Sequence, residues 1–272
     1  MDDELADVAG RGPAARRGTL GDVADALAAA ESAAAMTGAG VSTASGIPSF
    51  RGEGGVWADE FDPDDFHLDR FRADPDGFWR DRLALHERTY AADPEPNAAH
   101  RALARLEELG VLDAVVTQNT DGLHAEAGTK RLVELHGNAS RAVCPECDAT
   151  APAEEAFETV RSGETPRCSA CDVPLKPDVV LFGEDLPYHP FDAARRLARE
   201  GDVFLAVGSS LTVDPAASLP EEAARVGGEL AIVNLDETAK DRVARYVVRE
   251  DATTALPTLV EMVEARLADA ES

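Results

Sequence analysis

The chain has 272 residues, enough for one large hydrophobic core plus a smaller module. Its 52 Asp and Glu outweigh 26 Lys and Arg, for a net charge of −26; that sign argues against binding a nucleic-acid backbone, which needs clustered cations, and suits cationic partners such as lysine-bearing peptides. No run approaches the roughly 18 apolar residues of a membrane span, and Arg16-Arg17 leads into Gly18, Asp22 and Asp25 rather than an apolar signal core, so a cytoplasmic protein is expected.

Residues 1–18, rich in Asp, Gly, Arg and Pro, read as a loose tail. Leu20, Val23 and Leu27 recur at helical spacing, which predicts a helix over 20–30 with Thr19 as its cap. Ala33–Thr37 has poor strand propensity, yet it leads directly into glycines, and that context predicts a strand. Gly52 to Pro96 is rich in Asp, Phe, Trp and Arg, with a helical stretch around Phe78 to Tyr90. A helix is expected over 97–109, stopped by Gly110. Strands are expected at 111–117, 132–135, 179–182, 203–207, 230–233 and 246–248, with helical patterns at 192–199, 216–226 and 256–267 between several of them. That alternation predicts an α/β protein, a parallel sheet with helices on both faces. Two insertions break it, 52–96 and 138–174. They are expected to form one small domain beside a layered domain made of 19–51, 97–137 and 175–272.

The four cysteines form two knuckles, Cys144-x2-Cys147 and Cys168-x2-Cys171, separated by twenty residues. Such spacing can close a tetrahedral thiolate cage around zinc. Four thiolates leave no open position, so the metal would be structural; iron and unliganded thiols are the alternatives. Gly38-Ala39-Gly40 after a strand is half of a dinucleotide loop, but Thr43 stands where a third glycine belongs, and an ordinary turn is the competing reading. Gln118, Asn119 and Asp121 follow the 111–117 strand. They can read a polar ring substituent at a strand's carboxyl end, or simply cap a helix. His136, Gly208-Ser209-Ser210 and Asn234 end further strands, and four polar strand ends on one sheet edge point to a ligand site.

These residues resemble the sirtuins, the NAD-dependent protein deacylases. The likeness runs from about Leu20 to Leu267 and rests on "GAGVSTASGIPSFRG" (38–52), "TQNTDGLH" (117–124), "ELHGN" (134–138), the paired cysteines, "VVLFGEDLP" (179–187), "GSSLTVDPAA" (208–217) and "VNLDET" (233–238), in the family's order. The resemblance implies a Rossmann-like sheet with a small domain of helices and a zinc ribbon. It implies NAD as co-substrate and one structural zinc. Gly38, Ala39, Gly40 and Ser42 would meet the dinucleotide, and Ile47, Phe50 and Arg51 would belong to a mobile loop covering the ribose. Gln118, Asn119 and Asp121 would line the nicotinamide pocket, with Gly208, Ser209, Ser210, Asn234 and Ala252 on the adenosine side. His136 would be the general base. Val180, Phe182, Gly183, Glu184 and Leu211 would flank an acyl-lysine peptide inserted as an added strand. The implied products are free lysine, nicotinamide and O-acyl-ADP-ribose. Mono-ADP-ribosyl transfer and a non-catalytic zinc-ribbon adaptor are the rival functions.

The chain departs from the common family pattern at Ser49, Thr120 and Ala44. A sirtuin class that prefers succinyl- or malonyl-lysine carries a Tyr-x-x-Arg pair on the helix of the first insertion. No such pair occurs here in "DGFWRDRLALHERTY"; aligned on Trp79 the two positions fall at Arg82 and Leu85, and the chain's one Tyr-x-x-Arg is Tyr246 to Arg249. Acetyl or longer uncharged acyl groups are therefore expected over succinyl, because an unpaired buried carboxylate is costly. Acid excess spread over the whole chain, with lysine only at Lys130, Lys176 and Lys240, fits a halophilic archaeon's salty cytoplasm, where self-repulsion is screened.

Overall fold

A computed structural model describes residues 18–48 and 61–270. The tail over 1–17 and the loop carrying Ser49, Phe50 and Arg51 lie outside them. Helix α1 (Leu20–Ala29) opens on a capping box in which Thr19 and Asp22 each accept the other's backbone N–H. Strand β1 (Ala33–Thr37) follows. After the glycine loop come α2 (Leu68–Ala73), α3 (Pro75–Thr89), α4 (Ala98–Glu108), β2 (Ala114–Thr117), the one-turn α5 (Leu123–Glu126) and β3 (Leu132–Glu134). Next are β4 (Gly137–Val143), β5 (Thr150–Pro152), α6 (Ala153–Arg161) and β6 (Lys176–Val179). The chain closes with α7 (Tyr188–Glu200), β7 (Val203–Val207), α8 (Leu219–Val226), β8 (Glu229–Val233), β9 (Tyr246–Val248) and α9 (Ala252–Ala270).

The larger sheet has six strands in the order β3-β2-β1-β7-β8-β9, all parallel. The order reverses between β1 and β7, which opens a crevice at their carboxyl ends. Side-chain alternation fills both faces. Ala33, Ala35, Val203, Leu205, Val207, Ala231 and Val233 pack under α1, α4 and α9. Ala34, Met36, Phe204, Ala206, Leu230 and Ile232 pack under α7 and α8. This explains how a run of alanines becomes a central strand: β1 is buried along its whole length, and neighbours on both edges and both faces supply what propensity does not.

The smaller module joins α2, α3 and α6 to a three-stranded antiparallel sheet, β5-β4-β6. Its core is aromatic. Phe78 meets Phe66 and Phe71 edge-on, at 6.2 and 5.3 Å between centroids, and Trp79 meets Phe157 at 5.9 Å. The Trp79 Nε1–H donates to the Leu175 carbonyl at 2.7 Å, so the buried indole has its partner.

The structure differs from the sequence expectation in two places. The strand expected over 111–117 starts only at Ala114. The strand expected over 179–182 lies instead at Lys176–Val179 and pairs antiparallel with β4, not within the parallel sheet. Apolar runs cannot show which sheet they join; pairing with β4 decides it, and Val180 N–H continues that pairing to the His136 carbonyl.

Candidate active site

The crevice is built where glycines let two loops interpenetrate. The Gly40 N–H donates to the Gly208 carbonyl at 2.8 Å and Gly38 N–H to Val207 at 3.1 Å. A Cβ on Gly40 would lie 2.8 Å from the Gly208 oxygen, and one on Gly208 (φ +58°) would lie 2.6 Å from the Val41 nitrogen. The two loops therefore close on each other only as glycines, leaving strand-end backbone at the switch point where a pyrophosphate can approach. The chain then forms two single 3₁₀ turns, Ala39–Val41 and Thr43–Ser45, and leaves the second through Gly46 at φ +90°. That geometry explains why Thr43 can replace the third glycine: the turn it opens ends at Ser45 and starts no long helix that must pack close.

Ser42, Asn119 and Asp121 converge above β1 and β2. The Ser42 hydroxyl donates to Asp121 Oδ2 at 2.7 Å and accepts from Asn119 Nδ2 at 3.0 Å. Asn119 Nδ2 also donates to the Gly38 carbonyl at 3.1 Å, which uses both of its hydrogens. Asp121 Oδ1 accepts the Leu123 N–H at 2.9 Å, so the helix cap and the polar site are one residue's two oxygens. Burial raises the Asp121 pKa, against the lowering effect of Ser42 and the Leu123 amide.

Sequence reading missed two buried histidines that complete this network. His100 Nδ1 accepts the Asn97 N–H at 3.2 Å, which puts the proton on Nε2 and directs it to Ser42 Oγ at 3.3 Å. Asn97-x-x-His100 has the spacing of a capping box, and that was the available signal. His124 Nε2 lies 2.9 Å from Thr37 Oγ1, Thr37 donates to Thr117 Oγ1 at 2.8 Å, and Thr117 accepts the Asn119 N–H at 3.0 Å. The two rings meet edge-on at 4.8 Å. Burial pushes His100 down to about 4 and His124 to about 3, so both are neutral at pH 7.

His136 sits at the end of β3, with Nδ1 2.9 Å from the Gln118 carbonyl. A carbonyl only accepts, so Nδ1 carries the proton and Nε2 is left as the basic nitrogen. Burial lowers the pKa of His136, with the Gln118 bond opposing. The Gln118 side chain reaches across the crevice to Ser209 Oγ at 3.0 Å, tying β2's end to β7's. Ser210 is paired with Thr212, Asn234 Nδ2 donates to the Asp236 carbonyl beyond β8, and Ala252 is buried at the start of α9.

A cavity of about 40 Å³ separates Asn119 and Asp121 from helix α3, with Ile47 closing it from the glycine loop and Arg82, Leu85, His86 and Tyr90 on the far wall. Arg82 Nε and His86 Nδ1 are buried there without a hydrogen-bond partner among the described residues.

Beyond β6 the chain runs past His136, whose carbonyl accepts Val180 N–H at 2.9 Å. Phe182 is held on one side by Phe66 and Leu68, through bonds of 3.2 and 2.9 Å. The Gly183 N–H and C=O take no hydrogen bond among the described residues, leaving backbone open for a partner strand. The Glu184 carboxylate is not turned outward: it faces Lys176 and the Leu181 N–H. Leu211 is buried at φ +54°.

In the small module the four cysteine sulfurs lie within 4.8 Å of one another, and Cys147 and Cys168 are 3.8 Å apart. A tetrahedron of thiolates about 2.3 Å from zinc has edges near 3.8 Å, so the residues present fit that ion.

A doubly wound dinucleotide fold, with a polar switch-point site and a four-cysteine module beside it, defines an NAD-binding enzyme class. Comparison with known proteins narrows it. The Sir2 family model matches residues 38–215. An NAD-dependent protein deacetylase of Haloarcula marismortui is 56% identical over 246 residues, 89% of this chain and 94% of that protein. A crystal structure of a Sir2 homolog–NAD complex superposes with a TM-score of 0.81 at 36% identity, covering 90% of this chain and 94% of that one. A Sir2 variant in complex with a deacetylated p53 peptide and 3′-O-acetyl-ADP-ribose superposes with a TM-score of 0.80 at 35% identity, covering 90% and 98%. The chain belongs to the Sir2 family.

Proposed function

We infer that the chain is an NAD-dependent protein lysine deacetylase, in which acetyl-lysine, NAD and one water give nicotinamide, O-acetyl-ADP-ribose and free lysine. The observation that carries the reading is the protonation pattern of His136: a neutral ring, Nδ1–H committed to Gln118 and Nε2 free, at the strand end adjoining Asn119 and Asp121. That is the state a general base needs.

In this reading Gly38, Ala39, Gly40 and Ser209 hold the dinucleotide across the switch point, and Gly208, Ser210, Asn234 and Ala252 border its adenosine side. NAD, when bound, supplies a glycosidic bond whose cleavage releases nicotinamide and frees a ribose carbon to take the acyl oxygen. Asn119 keeps its amide oxygen, and Asp121 its remaining lone pairs, for the carboxamide of nicotinamide. Ser42, locked by His100, fixes their orientation. His136 Nε2 takes the ribose hydroxyl proton. The acyl-lysine peptide lies as a strand between the 180–184 segment and Leu211, with Gly183 offering its backbone; the strongly acidic surface favours lysine-rich, cationic protein segments in the cytoplasm. The four thiolates hold one structural zinc. We assign the two units to 19–51, 97–137 and 175–272, and to 52–96 and 138–174, with the paired strands β4 and β6 at their junction.

The test is incubation with NAD and an acetyl-lysine peptide in molar KCl, following nicotinamide and peptide mass together. Nicotinamide release with loss of an acetyl mass supports the reading. A mass gain on protein would select ADP-ribosyl transfer, and neither change would select a zinc-ribbon adaptor.

One observation favours a second acyl class: Arg82, whose buried Nε has no hydrogen-bond partner among the described residues, lines the cavity opposite Asp121. A carboxylate-bearing acyl group would find its counter-ion there.

A further inference from the structure

Glu184 falls in the segment that flanks the substrate, yet its side chain looks inward. Oε2 accepts from Lys176 Nζ at 3.0 Å and from the Leu181 N–H at 2.9 Å. The same ammonium donates to the Val179 carbonyl at 2.7 Å. Only 12% of the Lys176 side chain and 26% of the Glu184 side chain are exposed. This is one of three lysines in a chain whose cations are otherwise arginines. A compact ammonium can bond a carbonyl and a carboxylate in one tight bend, whereas a planar fork has a different reach.

The bend it holds has two functional ends. At one, Val180 N–H is bonded to the carbonyl of His136. At the other, Gly183 presents free backbone at φ +76°. Its Cβ position is blocked by the His67 ring at 2.2 Å, so this turn is seated against the residue that caps α2. The Glu184 N–H closes it by donating to Leu181 O at 3.0 Å.

We propose that Lys176 and Glu184 are positioning residues for the acyl-lysine peptide: their half-buried ion pair sets the register of residues 180–184 relative to His136. The proposal rests on the deacetylase reading for the identity of the strand that docks. The pair's hydrogen bonds go to Val179, to Leu181 and to each other, and none goes to a switch-point residue, so its loss acts on the peptide segment rather than on NAD. Partial burial also limits screening, which keeps the pair effective at high salt.

The experiment compares wild type, Lys176→Met, Lys176→Arg and Glu184→Gln. Peptide affinity is read directly, by fluorescence anisotropy of a labelled acetyl-lysine peptide with ADP-ribose present, alongside KM for peptide, KM for NAD and the melting temperature. We expect Lys176→Met to weaken peptide binding and raise peptide KM by about tenfold or more, since small misplacements at a reacting centre are expensive, with KM for NAD within about twofold. Lys176→Arg keeps the cation but not the compact reach and recovers only part of the loss. Glu184→Gln, which keeps an acceptor for Leu181 N–H, shows a smaller defect of the same kind and serves where Lys176→Met does not fold. Unchanged peptide affinity in folded Lys176→Met or Glu184→Gln, or equal losses for peptide and NAD, overturns the proposal. Wild type that binds the peptide but removes no acetyl group overturns the deacetylase reading instead, while the anisotropy series still decides the role of the pair.

Discussion

His136 and Arg82 show how a single side chain's surroundings assign its chemistry. His136 is basic at Nε2 because Gln118 takes the other proton, and burial holds its pKa below the ordinary 6.5. Deacetylation is therefore already on its plateau at pH 7 and falls only as acid protonates the ring; a rate still climbing above pH 7.5 would place the base elsewhere. Arg82 bears on acyl choice. Even a paired carboxylate costs several kcal/mol to bury, on the order of what its partner returns, and an acetyl group has no such cost. Acetyl-lysine should keep the higher kcat/KM, and the residual activity on succinyl-lysine should vanish in Arg82→Met. A succinyl preference would reverse that order and make Arg82 the specificity residue. The polar strand ends 118–121, 136 and 208–210 were legible as a site because they interrupt apolar runs. His100 and His124 were not, since each sits among core residues and its purpose exists only once Ser42 and Thr37 arrive from another strand.

Elements carry the next level. Alternation was readable in the sequence and proved sufficient for β7 and β8, whose odd and even residues fall on opposite faces. Residues 176–182 were not readable in that way: a short apolar run fits a parallel or an antiparallel neighbour, and pairing with β4 settled it. The zinc module is an element whose folding and metal binding are one equilibrium. Cys168→Ser or strong chelation should unfold the β4–β6 sheet with α6, releasing one metal per chain and abolishing peptide deacetylation. A folded, active, metal-free Cys168→Ser protein would show that the cage is dispensable. The histidine pair acts at this scale too. Both rings have folded-state pKa values below the unfolded 6.5, so the unfolded chain binds more protons as pH falls. Stability is whole above about pH 6.5 and is lost towards pH 4, at up to about 1.4 kcal/mol per pH unit for each ring. Urea unfolding between pH 7 and 4.5 measures this; His100→Asn should flatten part of the slope, and an unchanged slope would clear the pair of the effect.

The whole molecule carries a net charge of −26. At about 0.1 M salt the screening length is near 10 Å and much of the carboxylate repulsion survives. The melting temperature should rise steadily from dilute buffer to molar KCl; a flat or falling curve would contradict a salt-adapted surface. Among the described residues no helix is long and apolar enough to cross a membrane. What the molecule does with NAD is read in one stoichiometric measurement. In molar KCl, with saturating NAD and an acetyl-lysine peptide, nicotinamide released is counted against acetyl groups removed, for wild type and for His136→Ala with NAD affinity checked on the same preparations. One nicotinamide is expected per acetyl group in wild type, and in His136→Ala a deacetylation rate lower by about 10²–10⁴-fold with NAD binding retained. Nicotinamide release without acetyl loss, or a His136→Ala rate within about threefold of wild type against that expectation, would contradict the deacetylase reading.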